Sequence, residues 1–271
     1  MKNKKVLVSL SGGMDSSTMV GHLIVNGGYS VSCVNFTYGS KHNQYEIESA
    51  RNINSYYKLP KLIELDLSDI FKNIKSNLLL SGGEIPEGHY NDESMKLTVV
   101  PGRNTIFSSI MYGIAESLGF DYIALGVHKG DHFIYPDCRE EYITSLRKTI
   151  ELASDGKVSV LTPFINDDKY GILKVGQMID VPYHLTRTCY KNQKFSCGVC
   201  GSCSERLEAF QKIGIIDPIV YESNNSVKKF EIYFKDIIPE TQEKISEHFN
   251  INVNSQNDFN ESPIFSIIQY G

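Results

Sequence analysis

The chain has 271 residues, a net charge of −5, 41% apolar residues and 22% charged residues, figures ordinary for a soluble globular protein. That length buries one substantial core with room for an appendage, and the acidic balance gives no overall electrostatic case for nucleic acid. No apolar run approaches membrane-spanning length and Met1-Lys-Asn-Lys-Lys5 leads straight into a strand, so a cytoplasmic protein with no membrane contact is expected.

The apolar run Val6-Leu7-Val8-Ser9-Leu10 is short enough for a buried strand. Ser11-Gly12-Gly13-Met14-Asp15-Ser16-Ser17 follows, and then a segment in which Met19, Val20, Leu23 and Ile24 share one helical face. Strand, glycine turn and helix make an anion site. The glycines let backbone N–H groups converge, the helix start adds partial positive charge, and Ser11, Ser16 and Ser17 add hydroxyls. A Walker loop is excluded because no lysine follows the glycines, and the dinucleotide fingerprint because the next glycine after Gly13 is Gly21. The plainer alternative is a glycine turn capped by Asp15 or Ser16. S-G-G-x-D-S after a first strand resembles the pyrophosphate loop of the adenylating ATP pyrophosphatases, whose members split ATP between its α and β phosphates. A second Ser-Gly-Gly, at 81–83, has Ile85 where the aspartate belongs and Pro86 after it, so it reads as a loop.

Val31 to Phe36 reads as the second strand, with Cys33 a small core residue inside it. Lys41-His42 opens a helix with the stripe Ile47, Ala50, Ile53 and Tyr57, and Leu62 to Leu65 gives a third strand. The β-α-β-α-β order predicts a Rossmann-like parallel sheet with helices on both faces and a ligand at the strands' carboxyl ends. Leu78-Leu79-Leu80 is expected to end a helix, and 81–94 to form a long loop. Pro101-Gly102-Arg103-Asn104 opens a helix whose core face is Ile106, Phe107, Ile110, Met111 and Ile114, with Arg103 placed for a phosphate or carboxylate, or else merely solvated. Tyr122 to Leu125 is a fourth strand. The loop beyond it carries His128, Asp131, His132, Asp137 and Arg139 at a strand's carboxyl end, where residues line sites. His128-x3-His132 without a helix is a weak metal signal. A helix over 140–152, a strand from Val158 to Pro163, and a helix from near Lys169 to about Ile179 complete the domain. Lys169 is placed to supply the charge the phosphate loop lacks; otherwise it is a surface lysine.

Four of the six cysteines, Cys189, Cys197, Cys200 and Cys203, crowd into fifteen positions, with Gly198 and Gly201 to close the turns. Four thiolates at this spacing suit a closed, tetrahedral, structural Zn²⁺ site better than an iron–sulfur cluster, given the distant first cysteine and the absence of Cys-Pro. The reading places the main domain at 1–213, including the zinc module at 186–206. A linker follows at 214–227, then a small α+β appendage at 228–271, in which Phe230, Ile232 and Phe234 alternate.

In order, Ser11-Gly-Gly-Met-Asp15-Ser16, Val100-Pro-Gly-Arg103-Asn104, Gly126-Val127 with Tyr135-Pro-Asp137-Cys-Arg139, Thr162-Pro163 with Lys169, and Thr188-Cys189-Tyr190 before the cysteine triplet resemble the 7-cyano-7-deazaguanine synthases of the queuosine pathway over residues 4–213. The resemblance implies an enzyme of the adenine nucleotide alpha hydrolase-like fold. It implies ATP with Mg²⁺ on Leu10, Ser11, Gly12, Gly13, Met14, Asp15, Ser16, Ser17 and Thr18, with Asp15 and Lys169 catalytic. Arg103, Asp137 and Arg139 would meet substrate or phosphate, with a structural ion pair as the alternative for the last two, and Zn²⁺ would sit on the four cysteines. The reaction it implies converts 7-carboxy-7-deazaguanine and ammonia into the nitrile, activating first the acid and then the amide; direct nucleic-acid contact is not expected. It leaves room for a homodimer and for a protein partner on 228–271. The appendage lies outside the usual family domain and the 128–132 stretch is variable among relatives. Other readings therefore stay open: a paralogue passing a deazaguanine acid to a protein or nucleic-acid amine, a tRNA thiolase or lysidine-forming ligase with the same loop, and a scaffold that binds ATP without turnover.

Overall fold

Val6, Leu7 and Val8 are each fully shielded from solvent, and a strand buried on both faces needs helices on both sides of its sheet. The structure, a computed structural model, describes residues 3–88 and 93–222. Its five strands are β1 (Lys5–Ser9), β2 (Ser30–Thr37), β3 (Ile63–Asp66), β4 (Tyr122–Ala124) and β5 (Ser159–Leu161). All pair in parallel in the order β3-β2-β1-β4-β5. The helices are α1 (Met14–Val25), α2 (Asn43–Tyr56), α3 (Ser68–Phe71), α4 (Arg103–Leu118), α5 (Glu140–Ala153), α6 (Lys169–Met178) and α7 (Gly201–Ile213).

One core joins the sheet to α4 and α5 through Met111, Ala115, Ile143, Leu146 and Ile150. The other joins it to α1, α2 and α6 through Met19, Val20, Leu23, Ala50, Ile53 and Ile172. The chain reverses its direction of travel across the sheet between β1 and β4, and at such a switch point the loops following the two strands diverge and open a crevice. The α/β class read from the sequence is the one observed.

Three local expectations differ. Leu78 and Leu79 are buried but sit in a loop, where Leu79 bridges to Ser40, so no helix ends there. On α4 the deepest positions are Phe107, Ser108, Met111 and Ala115, while Ile106, Ile110 and Ile114 are half-buried. Ser108 and Ala115 are the inward positions that the predicted apolar stripe did not include. Residues 214–222, expected as linker, are packed in place: Ser196 N–H donates to Val220 O and Glu222 N–H to Ser196 O, and Tyr221 is buried. The appendage expected at 228–271 lies outside the described residues. No helix among the described residues is long and apolar enough to cross a membrane.

Candidate active site

The loop after β1 turns at Gly12, whose φ is +85°; a Cβ there would stand 2.5 Å from Ala50 N and 2.7 Å from Glu46 O. Glycine alone fits, and the loop is thereby pressed onto α2. Above it, Arg187 N–H donates to Gly12 O at 2.9 Å, strapping the loop from the far side. Gly13 is the N-cap of α1 and gives no side-chain cap, so the first-turn N–H groups of Met14, Asp15 and Ser16 have no partner within the helix. Ser11 Oγ accepts from Gly13 N–H and lies 3.0 Å from Ser16 Oγ.

Leu10, Ser11, Gly13, Asp15 and Ser16 line the cleft between the ends of β1 and β4. The other loop residues face away from it. Met14 packs with Leu173 and Phe210, Ser17 is fully buried, and Thr18 Oγ1 donates to Met14 O and lies 2.8 Å from Tyr183 OH.

Beside the loop sits a buried charge cluster. Lys169, at the start of α6, is 5% exposed; its Nζ is 3.2 Å from Asp15 Oδ2 and 2.7 Å from Glu205 Oε2 of α7. His128, 1% exposed, accepts Gly130 N–H on Nδ1 at 3.1 Å, which leaves the ring hydrogen on Nε2. Nε2 lies 3.7 Å from Asp15 Oδ2 and 3.5 Å from Asp131 Oδ2. Burial would raise the Asp15 pKa, but Lys169 and His128 hold it well below the carboxylate range. Burial would likewise lower Lys169, and Asp15 with Glu205 keeps it above its ordinary value. Against burial, Asp131 and Asp15 push His128 up to about 9, and taking the second proton means giving up the Gly130 bond. Burial raises the pKa of Glu205, opposed by Lys169.

At the other end of the cleft, Arg103 donates to Tyr38 OH, its guanidinium 5.9 Å from the Tyr38 ring and 5.8 Å from that of Tyr135. Among the described residues no carboxylate pairs with it. Asn104, Phe107, Cys138 and Tyr190 line the same region. Asp137 and Arg139 do not line the cleft. Asp137 Oδ2 accepts Asn104 N–H at 3.2 Å and so ties the loop to the start of α4, while Arg139 is exposed and donates to His132 O at 2.9 Å. Neither takes part in the ion pair weighed above.

The four cysteines converge: all are buried, and their Sγ atoms lie within 4.8 Å of one another. Lys191 and Cys197 N–H groups donate to Cys189 Sγ, and Val199 and Cys200 N–H groups to Cys197 Sγ. Such N–H donors stabilise thiolates, so the donor set fits a metal ion in a closed four-sulfur site. The module is anchored by Arg206, fully buried and bidentate to Asp217 at 2.6 and 2.8 Å, with further bonds to Thr186, Thr188 and Tyr183. Arg187 spans the module's first loop by donating to the carbonyls of Lys191, Gln193 and Lys194.

Glu205, Arg187 and Arg206 were not legible in the sequence. His128 and Asp131 were, but only as members of a polar loop, because what gives His128 its meaning is contact with Asp15, more than a hundred positions away.

The family model described as queuosine biosynthesis protein QueC matches residues 5–214. The chain is 43% identical over 218 residues to the 7-cyano-7-deazaguanine synthase of Caldicellulosiruptor saccharolyticus, covering 80% of this chain and 96% of that one. It is 42% identical over 219 residues to the 7-cyano-7-deazaguanine synthase of Pseudoalteromonas atlantica, covering 81% and 99%. Among solved structures, the U34-tRNA thiolase NcsA from Methanococcus maripaludis aligns with a TM-score of 0.45 at 16% identity, over 87% of this chain and 73% of that one. That likeness is too loose to carry an argument.

Proposed function

The chain belongs to the QueC family of queuosine biosynthesis proteins, and from that premise we propose that it makes 7-cyano-7-deazaguanine from 7-carboxy-7-deazaguanine and ammonia at the expense of ATP. A carboxylate is a poor acceptor for ammonia, so one oxygen must become a leaving group. The acid attacks the α phosphate of ATP, pyrophosphate departs, and ammonia displaces AMP from the adenylate to leave the amide. A second ATP activates the amide oxygen in the same way, and loss of AMP leaves the nitrile.

The observation that carries the reading is the uncapped start of α1 beside a buried lysine 3.2 Å from Asp15. Charge grows on the departing pyrophosphate, and fixed N–H dipoles with a desolvated ammonium stabilise that growth without rearranging. In this reading Ser11, Gly13 and Ser16 cradle the pyrophosphate; Gly12, Met14, Ser17 and Thr18 keep the loop in shape. Mg²⁺, when bound, shields the phosphate charge, and Asp15 would hold it, having one oxygen, Oδ1, buried without a hydrogen-bond partner. Arg103 among its tyrosines receives the acid at the other end, while Asp137 and Arg139 order the loop that frames it. Zn²⁺ on Cys189, Cys197, Cys200 and Cys203 would be structural, since four protein sulfurs fill its coordination.

Cysteine chemistry of the thiolase kind finds no support. Burial raises the thiol pKa of Cys33, inside the core, and of Cys138, in the cleft, so neither is a ready thiolate. Mass spectrometry of a reaction with ATP, ammonium and 7-carboxy-7-deazaguanine tests the proposal. Appearance of the nitrile is expected; AMP release with no nitrile or amide would contradict it.

A further inference from the structure

Among the carboxylates that act on the Lys169 ammonium, which include Asp131, two are close partners, and the phosphate loop accounts for one of them. Asp15 comes from that loop and stands 3.2 Å away; Glu205, nearer at 2.7 Å, comes from α7, two residues after Cys203. Lysine is a compact charge on a flexible four-carbon stem, so against Asp15 alone its ammonium would fold down over that carboxylate. The opposing pull of Glu205 holds it between the two. Stability is a weak reason for such a carboxylate, because a buried pair barely offsets its own desolvation.

We infer that Glu205 is a positioning residue: it fixes the Lys169 ammonium at the height where it meets phosphate, and it ties the phosphate site to the helix that starts in the cysteine module. This rests on the reading that Lys169 serves the phosphate loop.

Two further observations place Glu205 in that role. The turn that carries His128 makes room for it: a Cβ on Gly130 would stand 2.9 Å from Glu205 Oε1. Beneath the charges, Met14, Leu173, Ala209 and Phe210 form one apolar cluster that joins α1, α6 and α7, the helices that bring Asp15, Lys169 and Glu205 together. On α7, Cys203 and Arg206 lie three residues apart and share a face, while Glu205 is turned about 200° from Cys203, toward α6. One helix therefore serves the metal site, its anchor and the lysine.

The test is binding of magnesium pyrophosphate to the full chain by titration calorimetry, in wild type, Glu205→Gln, Lys169→Met and the double variant. If Glu205 acts through Lys169, Glu205→Gln weakens binding about tenfold with the lysine present and less than about twofold once it is methionine. Metal content of Glu205→Gln should match wild type, and its circular dichroism should show the fold intact. Equal losses in both backgrounds would mark a merely structural residue and overturn the inference, as would no loss in either. Should Glu205→Gln not fold, Glu205→Asp takes its place, with a smaller loss expected only when Lys169 is present and an equal loss in both backgrounds overturning the idea. A wild-type chain that binds no magnesium pyrophosphate removes the phosphate-loop reading and this inference together, and it is recognised without any Glu205 variant.

Discussion

To serve the proposed mechanism Asp15 must stay ionised while buried, and Lys169 and His128 hold it so by depressing its pKa. On the reading that Asp15 would hold Mg²⁺ at the phosphates, Asp15→Ala should cut adenylation by more than about a hundredfold, the size of loss that follows removal of one stabiliser of developing negative charge, and leave the fold intact by circular dichroism. Near-wild-type turnover at saturating magnesium ATP would contradict the loop assignment. The sign of the pH effect follows from the depressed pKa. The contribution of Asp15 to stability is present above the ordinary carboxylate pKa of about 4 and is lost as pH falls through its lower folded value. Asp15→Asn should therefore flatten the acid limb of melting temperature against pH; an unchanged limb would mean that the pairing with Lys169 and His128 adds nothing.

At the scale of elements, α7 carries more than its length suggests. Arg206 is fully buried and its guanidinium is bidentate to Asp217, so Asp217→Ala strands a charge and should cost about 3–5 kcal/mol by denaturant titration. A cost below about 1 kcal/mol, the size of an exposed pair, would show that the anchor is dispensable. Leu173→Ala, in the cluster beneath the charges, should cost about 2–5 kcal/mol in the same experiment. Strands, the glycine loop and the cysteine spacing were legible because each is written locally: an apolar run, two glycines before a helix, four sulfurs in a short stretch. Glu205, Arg187 and Arg206 were not, because a charged residue on a polar helix or loop looks solvated until its partner in another element is known. Residues 214–222 mislead because they run into the polar stretch Glu222-Ser-Asn-Asn-Ser226 and read with it as linker, yet Asp217 is the counter-ion of a buried arginine.

For the whole molecule, the cleft and the cysteine module share one frame, with Arg187 and α7 crossing between them. Elemental analysis should find about one zinc per chain, and Cys200→Ser should lose that metal and melt at a lower temperature. Iron–sulfur absorbance, or full metal retention in that variant, would contradict the structural zinc site. Every described residue that lines the cleft lies at or before Ser202, so removing 228–271 is expected to leave nitrile formation in place. Loss of nitrile would show that those residues complete the enzyme. Pyrophosphate exchange is the most direct test of base-dependent adenylation. With radiolabelled pyrophosphate, magnesium ATP and the full chain, label should enter ATP only when 7-carboxy-7-deazaguanine is present. Exchange that ignores that base, that depends on tRNA instead, or that is absent under every condition would contradict it.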